Sequence, residues 1–400
     1  MRHTRPGGLA ADYRGLLQHQ WSPWAAGILV GLLNVMMFAY GKPWAVADGV
    51  QNWGNWVLLG FGVNMGAQVP PWLYTTSFTN LGVILGALIG ALLSGQFALR
   101  FTTGRDLVRS MIGGVLLGIG AVLGMGCTIG GFLSAFSALS LAGPLFMIGL
   151  FVGAYMGLKL LVWELAWEKP ATPKPAPTAP PGGNGWKDRQ PYIGLALLIG
   201  VLILLSFDGT EFTYRGITGL RSVLLLLAIA LGVVNQRARF CFVRAFREPF
   251  MTGDGSMTKG AALALLVGLL GFAVIKGSDL NEIRDVMEAV RPSVVLGSLL
   301  GGLIFGIGMV LTGGCASGSL WRLGEGQLKF VLVLLMFSVS NALFAFTLRF
   351  TGWRNNWGED SYFLPDSLTW PGALAVLGAI AIAWALLAAW NEKTEKMVIV

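Results

Sequence analysis

Long apolar runs separated by short polar segments form the dominant pattern of this 400-residue sequence. Each run holds about 17 to 22 mostly apolar residues, which is the length of helix that crosses the hydrocarbon core of a bilayer. The pattern therefore predicts an all-α polytopic membrane protein with about ten transmembrane helices. The predicted spans are 24–40, 80–99, 110–126, 144–166, 191–207, 217–235, 258–276, 293–314, 328–348 and 371–390.

One segment between the first two spans departs from this pattern. Residues 42–79 contain four tryptophans with asparagine and glycine between them, so the segment is too polar to span. Tryptophan is enriched where a membrane meets water. We therefore expect an excursion along the membrane interface that contains one short helix.

The composition supports a membrane protein and argues against nucleic-acid binding. Hydrophobic residues make up 54% of the chain and charged residues 12%, whereas about a quarter of the residues in soluble domains are charged. The net charge of +8 comes from cations scattered over many loops, which is typical of cytoplasmic loops rather than of a nucleic-acid-binding face. A positive surplus also favours an anionic solute.

A segment rich in proline and alanine, residues 168–190, divides the chain because it cannot build a packed core. The positive-inside rule places this linker and both termini in the cytoplasm. The predicted units are a cytoplasmic N-terminal segment (1–23), a first membrane repeat (24–167), the linker (168–190), a second membrane repeat with extra spans (191–392) and a C-terminal tail (393–400).

The two halves share a motif. GGVLLGIGAVLGMGCTIGG at 113–131 aligns without a gap with GGLIFGIGMVLTGGCASGS at 301–319. Cys127 matches Cys315, and glycines match glycines at positions that include Gly113, Gly114, Gly118, Gly120 and Gly126. A weaker match pairs GLLN at 31–34 with GVVN at 232–235 and places Tyr40 opposite Cys241. By the span count, the helices before Cys127 and Cys315 run in opposite directions. The sequence therefore predicts two inverted-topology repeats with interrupted helices at the cysteine motifs.

These interruptions supply the candidate site. Glycines around a cysteine at the end of an apolar helix predict a broken helix, whose thiol and free N–H groups face a cavity. Such N–H groups attract an anion, and a thiol donates its S–H to an anionic or sulfur acceptor. The candidate substrate-contacting residues are Cys127, Cys241, Cys315, Gly126, Thr128, Gly130, Gly314, Ser317 and Arg239.

Cys241 lies in a more basic setting, within NQRARFCFVRAFREPF at 235–250. The predicted topology places it at the cytoplasmic mouth, where the arginines either handle an anion or anchor the span. A reactive thiolate at an exposed, electropositive position is also what a membrane sulfurtransferase needs. A persulfide carried on Cys241 is therefore an alternative function.

The sequence offers little support for a metal site, a cofactor or the transport of a soft metal. The two histidines, His3 and His19, precede the first span, and the three cysteines form no CxxC motif, so we expect neither a metal site nor a cofactor. Met125 lies near Cys127, but paired Met or Cys motifs of a soft-metal permease do not occur. Arg322 and Glu325 are expected at the membrane edge, where they can pair with each other.

At these motifs the sequence resembles the YeeE/YedE family of sulfur transporters. The matching segments are GMGC followed by glycine, RARFCF, and GMVLTGGCASG with WRLGEGQ after it. The likeness covers most of the chain, including the polar excursion and the division into halves. It is greatest to the longer YedE branch, which is linked to selenium metabolism.

The resemblance implies import of thiosulfate or a related sulfur anion across the plasma (inner) membrane of a bacterium, with selenium compounds as an alternative substrate. It implies that Cys127, Cys241 and Cys315 form a relay, in which each thiol holds the anion by an S–H hydrogen bond. A cytoplasmic sulfur-accepting protein is an implied partner. Family members also carry a cysteine in the first repeat opposite Cys241, where the alignment places Tyr40 in this chain.

Overall fold

The structure, a computed structural model, is helical nearly throughout. It describes residues 18–65, 69–102, 104–167, 185–207, 211–214, 217–278, 287, 290, 295–352 and 361–399. Ten helical segments in these ranges are long and apolar enough to cross a membrane. The predicted all-α polytopic architecture with about ten spans is confirmed.

The described residues of the first half form four long helices and two shorter helical segments. In chain order they are α1 (Pro23–Tyr40), α2 (Ala47–Gly60), α3 (Thr75–Leu93), α4 (Arg105–Leu123), α5 (Thr128–Ser137) and α6 (Ala142–Trp167). The first seven residues of α5, Thr128–Ser134, are π-helical. The 14-residue α2 is the short helix expected in the polar excursion.

The second half adds a peripheral helix at each end of its chain. Its elements are α7 (Gly185–Phe207), β1 (Glu211–Tyr214), β2 (Ile217–Leu220), α8 (Arg221–Ala238), α9 (Phe242–Met251), α10 (Ser256–Gly277), α11 (Val295–Thr312), α12 (Ala316–Gly324), α13 (Lys329–Phe350) and α14 (Leu364–Thr394). The two strands form an antiparallel hairpin. Helix α7 begins inside the segment expected to be linker, of which 168–184 lie outside the described residues, as do residues 1–17 of the expected N-terminal segment.

Contacts between helix ends show which of them lie at the same end of the bundle. At one end, which we call the basic end, Trp21 N donates to Arg237 O at 3.2 Å and Lys329 pairs with Asp106 at 3.3 Å. These contacts join the start of α1 to the end of α8, and the start of α13 to the start of α4. At the opposite end, Lys276 Nζ donates to Ala138 O at 3.0 Å, which joins the end of α10 to the turn after α5.

The cations are concentrated at the basic end. Besides the pairs above, Gln190 Nε2 reaches Phe97 O at 2.9 Å and Lys259 pairs with Glu392 there. The cations near helix ends on this side include Arg100, Arg105, Arg109, Lys187, Arg237, Arg239, Arg244, Arg247, Lys259, Arg322, Lys329 and Lys393. Several acidic residues of the opposite loops, including Asp279 and Glu359, lie outside the described residues.

The two halves pack on each other through matching pairs of helices. Helix α3 packs on α8 while α10 packs on α1, and α6 packs on α11 while α13 packs on α4. Helices α4 and α11 also pack on each other. Exchanging each helix for its aligned counterpart reproduces these pairs, which is the arrangement that a repeat around a two-fold axis requires. The inverted repeat itself stays a prediction.

Glycines allow these helices to approach closely. A Cβ added at Gly27 of α1 would lie 1.9 Å from Gly260 O of α10, and one at Gly86 of α3 would lie 2.1 Å from Ile229 O of α8. Between α4 and α11, a Cβ at Gly120 would lie 2.6 Å from Phe305 N. Backbone contact between small residues is a common way of holding membrane helices together.

An aromatic cluster holds the short helices of the two halves together. The ring of Phe132 on α5 contacts Phe242 and Phe246 of α9 at 5.7 and 5.5 Å between centroids, and Trp384 of α14 at 6.0 Å. Edge-to-face contacts of this kind stabilise beyond the area that they bury. The starts of α5 and α9, which carry two of the cysteines, are thereby fixed relative to each other.

Candidate functional site: a buried thiol cluster

The three cysteines occupy the same local position. Cys127, Cys241 and Cys315 are the N-cap residues of α5, α9 and α12, and each has an extended backbone conformation. Each follows a long helix that ends just before it. The helices are therefore interrupted at the cysteine motifs, as expected from the sequence.

A left-handed residue precedes each cysteine by two positions. Met125 has φ of 51°, Arg239 has 50° and Gly313 has 71°. A residue in this conformation ends a helix, and glycine adopts it without steric cost. For Met125 and Arg239 the conformation costs about 1–3 kcal/mol, which the surrounding packing must offset.

Cys127 lies where two short helices begin. Its sulfur accepts a hydrogen bond from Ile129 N of α5 at 3.4 Å. The N–H groups of Gly130, also in α5, and of Ala47 at the start of α2 face the same sulfur. The thiol therefore lies at the positive ends of two helix dipoles. It is also completely buried, away from solvent.

The side chains of Cys241 and Cys315 share one recess beside Gly318 of α12. A Cβ added at Gly318 would lie 3.1 Å from the Cys241 sulfur and 3.3 Å from the Cys315 sulfur. The Cys315 sulfur accepts from Gly318 N at 3.4 Å and lies 3.4 Å from Ser317 Oγ. Cys241 faces the N–H groups of Val243 and of the next residue in α9. The absence of a side chain at position 318 brings the two thiols together.

Thr128 connects Cys127 to this pair. Its hydroxyl faces the Cys315 thiol without meeting hydrogen-bond geometry, and it has no other partner among the described residues. The Thr128 side chain is fully buried, and a buried hydroxyl without a partner is rare because it loses the hydrogen bonds that water would give it. We call the five residues Cys127, Thr128, Cys241, Cys315 and Ser317 the thiol cluster.

The N-termini of four short helices, α2, α5, α9 and α12, thus face the thiol cluster. Free N–H groups and positive dipole ends favour an anion, and the thiols are weak donors and acceptors that suit a soft sulfur atom. Among the described residues, no three His, Cys, Asp or Glu side chains gather as a metal site.

The fourth helix break carries no cysteine, and the sequence alignment misplaces its counterpart. Tyr40 ends α1, whereas the N-cap of α2, the position that Cys241 holds before α9, is Val46. The connection 41–46 is longer than its counterpart 239–241, so an alignment without gaps is wrong beyond the helix end. Because the buried Val46 stands where a cysteine would be, the first half of the chain contributes one thiol to the cluster and the second half contributes two.

The predicted glycines differ in what they contact. A Cβ added at Gly126 would lie 2.4 Å from Gly131 N, and one at Gly314 would lie 2.7 Å from a carbon of the Phe330 ring. These two glycines therefore permit close packing of the turns that precede the cysteines. Gly130 differs because its N–H group faces the Cys127 sulfur.

Cys241 does not have the exposed position that the sulfurtransferase alternative requires. The residue is 1% exposed, and the motif's arginines point elsewhere. Arg239, whose side chain is 43% exposed, pairs with Glu325 at 3.3 Å, while Arg244 pairs with Glu248 at 3.1 Å. Cys241 is buried because its turn packs against α12, a contact between segments far apart in the sequence.

Glu325, which was expected at the membrane edge, is instead fully buried. Its carboxylate lies 3.7 Å from Arg100 and 3.3 Å from Arg239. It does not pair with Arg322. Arg322 instead donates to Gly313 O and lies over the Trp321 ring at 5.1 Å. The charged residues spaced along WRLGEGQLK at 321–329 resemble an ordinary membrane edge, so no local pattern indicates a buried carboxylate.

A second polar site near the opposite end was missed. Lys42 Nζ donates to Thr76 Oγ1 at 2.7 Å and lies 4.0 Å from Asp48. Lys42 and Thr76 border a small cavity of about 10 Å³ that Thr75 and Thr79 also line. Lys42 lies in the connection that leads to Ala47 and so to Cys127. A lysine within the tryptophan-rich excursion was the available signal.

Several known proteins similar to this chain are named as transporters or probable transporters. A family model described as sulphur transport matches residues 8–156 and 237–399. The probable transporter YedE of Escherichia coli is 26% identical over 345 residues, which cover 82% of this chain and 81% of that protein. YedE of Salmonella typhimurium is 25% identical over 342 residues with the same coverage.

Shorter matches connect the chain to proteins with a named substrate. The thiosulfate transporter TsuA of Spirochaeta thermophila is 37% identical over 102 residues, which are 26% of this chain and 29% of that protein. The thiosulfate transporter TsuA of Escherichia coli is 34% identical over 120 residues, 30% of this chain and 32% of that protein.

Proposed function

Because this chain belongs to the sulphur transport (YeeE/YedE) family, as its cysteine motifs predict, we propose that it imports thiosulfate or a related small sulfur anion. The observation that carries the proposal is the thiol cluster faced by four helix N-termini. The N–H groups offset the charge of the anion, and the thiols contact its sulfur end. The transport activity is not enzymatic.

The path runs from the opposite end to the basic end. Lys42 attracts the anion near the entrance, and Cys127 receives it between the starts of α2 and α5. Thr128 and Ser317 accompany it to the recess that Cys241 and Cys315 share. The Thr128 hydroxyl, which lacks a partner among the described residues, supports a bound solute at this point.

The distribution of charge supports import into a bacterial cytoplasm. Lysine and arginine accumulate on the cytoplasmic side of plasma-membrane proteins, and the basic end carries most of the described cations. We therefore assign the basic end, with both termini, to the cytoplasm. A cytoplasmic protein that accepts the sulfur is a proposed partner, since consumption of the anion would favour its continued entry.

Transfer of a persulfide from Cys241 is the less favoured function. A protein acceptor has to reach the sulfur, and all three thiols are at most 1% exposed. A selenium anion remains an alternative solute because it would meet the same thiols and N–H groups.

Uptake of radiolabelled thiosulfate into proteoliposomes tests the proposal. Serine caps a helix at least as well as cysteine, so Cys127→Ser, Cys241→Ser and Cys315→Ser preserve the starts of α5, α9 and α12. We expect intact thiosulfate to accumulate with the wild type and uptake to fall about tenfold in each variant, because each loses a contact with a charged ligand.

The chemical form of the label separates the alternatives. Label bound to the protein in a manner that requires Cys241 would replace the transporter by a sulfurtransferase. No uptake by the wild type would exclude thiosulfate, and labelled selenite would then be the next solute to test. Equal uptake by the wild type and all three serine variants would exclude the thiol path.

A further inference from the structure

The turn that carries Cys241 lies along one face of α12. The Cys241 sulfur rests against Gly318, and the Trp321 indole donates to Phe240 O at 3.2 Å. Positions three and four residues apart fall on one side of a helix. Successive residues of the turn therefore meet successive positions of the helix, moving from the thiol cluster toward the basic end.

The last contact in this series is an ion pair. Arg239 Nη2 lies 3.3 Å from Glu325 Oε1, directly after the end of α12, and Arg100 Nη1 lies 3.7 Å from the same oxygen. The Glu325 side chain is fully buried, whereas Arg239 and Arg100 are 43% and 48% exposed. Burying a carboxylate is costly unless cations compensate its charge. Loss of either contact would leave Glu325 less well compensated, and Glu325 therefore holds both guanidinium groups against the protein.

The charge of this group suits an anion at the exit. One carboxylate between two guanidinium groups leaves a net charge of +1, two residues along the chain from Cys241. An anion that leaves the thiols toward the basic end meets Arg239 and competes with Glu325 for it. Arg239 also has a left-handed backbone, which its side-chain contact with Glu325 helps to hold in place.

We propose that Glu325 is a positioning residue of the exit. Through Arg239 it holds the turn 239–241 on α12 and keeps the Cys241 thiol buried beside Cys315, and the departing anion displaces it from Arg239. This inference rests on the proposed transport of an anion. It adds a residue that contacts neither thiol.

The reactivity of Cys241 tests the positioning role without any substrate. The protein in proteoliposomes is treated with N-ethylmaleimide, and modification of Cys241 is followed by peptide mass spectrometry. If Glu325 holds the turn closed, Glu325→Gln and Arg239→Gln raise the modification rate about tenfold, because the turn opens more often. Glu325→Asp, which keeps the charge, gives a rate between those of Glu325→Gln and the wild type.

Glu248→Gln is the matched control. Glu248 also lies between two arginines at the basic end, 3.1 Å from Arg244 and 3.5 Å from Arg247, and it belongs to α9, the helix that Cys241 begins. It does not contact the turn on α12. We expect its variant to keep the wild-type rate of modification within twofold.

The KM and maximal rate of thiosulfate uptake by the same variants distinguish the proposed role of Glu325 from a purely structural one. Without the carboxylate, two uncompensated guanidinium groups retain the anion, so Glu325→Gln lowers KM and also lowers the maximal rate. A variant that was only misfolded would lose maximal rate with an unchanged KM.

The two readouts separate the possible failures. If Glu325→Gln modifies Cys241 no faster than Glu248→Gln does, the positioning role is wrong whatever the uptake shows. Faster modification with KM unchanged or raised overturns the competition between anion and Glu325. If the wild type takes up no thiosulfate, the proposed function fails, and the modification rates still decide the role of Glu325.

Discussion

At the scale of single residues, the site depends on backbone conformations that few side chains adopt. Met125, Arg239 and Gly313 are all left-handed, and each ends a helix two positions before a cysteine. Glycine at 313 is the expected choice, but a methionine and an arginine at the equivalent positions were not predictable from local preference. The tertiary contacts of Arg239 are what compensate its strain.

Gly318 provides a direct test of the recess at this scale. The variant Gly318→Ala would place a methyl group 3.1 Å from the Cys241 sulfur and 3.3 Å from the Cys315 sulfur. Both sulfurs lie on short side chains that can shift by a few tenths of an ångström, so we expect the protein to fold. Uptake should fall about tenfold, because a methyl group in a well-packed site displaces the ligand.

The matched control for this variant is Gly200→Ala in α7. A Cβ there would meet no atom within 4 Å. We expect wild-type uptake from the control in the same proteoliposome assay. Normal uptake by Gly318→Ala would show that the space between the two thiols is not part of the path.

At the scale of elements, helix contacts through glycine fix the positions of the broken helices. The sequence identified many glycines but not their partners, because a partner lies on a helix from the other half of the chain. Gly27 meets Gly260, and Gly86 meets Ile229, across the same kind of helix pair in the two halves. Matching contacts of this kind place the starts of α2 and α9 on opposite sides of the thiol cluster.

Gly27→Leu should weaken the α1–α10 pair. Its Cβ would lie 1.9 Å from the Gly260 carbonyl oxygen, a backbone atom that moves only with its helix. We expect a destabilisation of about 1–3 kcal/mol or more, visible as an earlier loss of the monodisperse peak when the detergent-solubilised protein is heated before gel filtration.

Gly378→Leu in α14 is the comparison, since a Cβ at Gly378 meets nothing within 4 Å. This variant should melt close to the wild type. Equal melting temperatures for the two leucine variants would contradict the close contact between α1 and α10.

At the scale of the whole molecule, the two ends differ in charge, and this difference predicts the orientation. A cysteine introduced at Lys396, which is exposed near the C-terminus, should be cytoplasmic. One introduced at Trp72, which is 62% exposed near the opposite end, should face outward. The three native thiols are buried and should add little background.

Labelling with a membrane-impermeant maleimide distinguishes the two sites. In intact cells we expect Trp72→Cys to react and Lys396→Cys to stay unmodified, and after lysis both should react. The reverse pattern in intact cells would invert the protein in the membrane and contradict import from the opposite end to the basic end.

The sequence by itself determined the class of protein, the number of spans and the places where the helices break. These features depend on the length of apolar runs and on glycines next to cysteines, both of which act over a few neighbouring residues. The motifs also identified the family. The residues Cys127, Cys241, Cys315, Thr128 and Ser317 were all predicted candidates, and they lie close together.

Only the tertiary structure decided which of these groups meet. Gly318 brings Cys241 to Cys315, and Thr128 reaches across from the other half of the chain, contacts that no local pattern encodes. Glu325 seemed to be a surface charge and is instead buried between two arginines. The reason is physical: burial and ion pairing depend on surfaces that come together only when segments far apart in the sequence pack on each other.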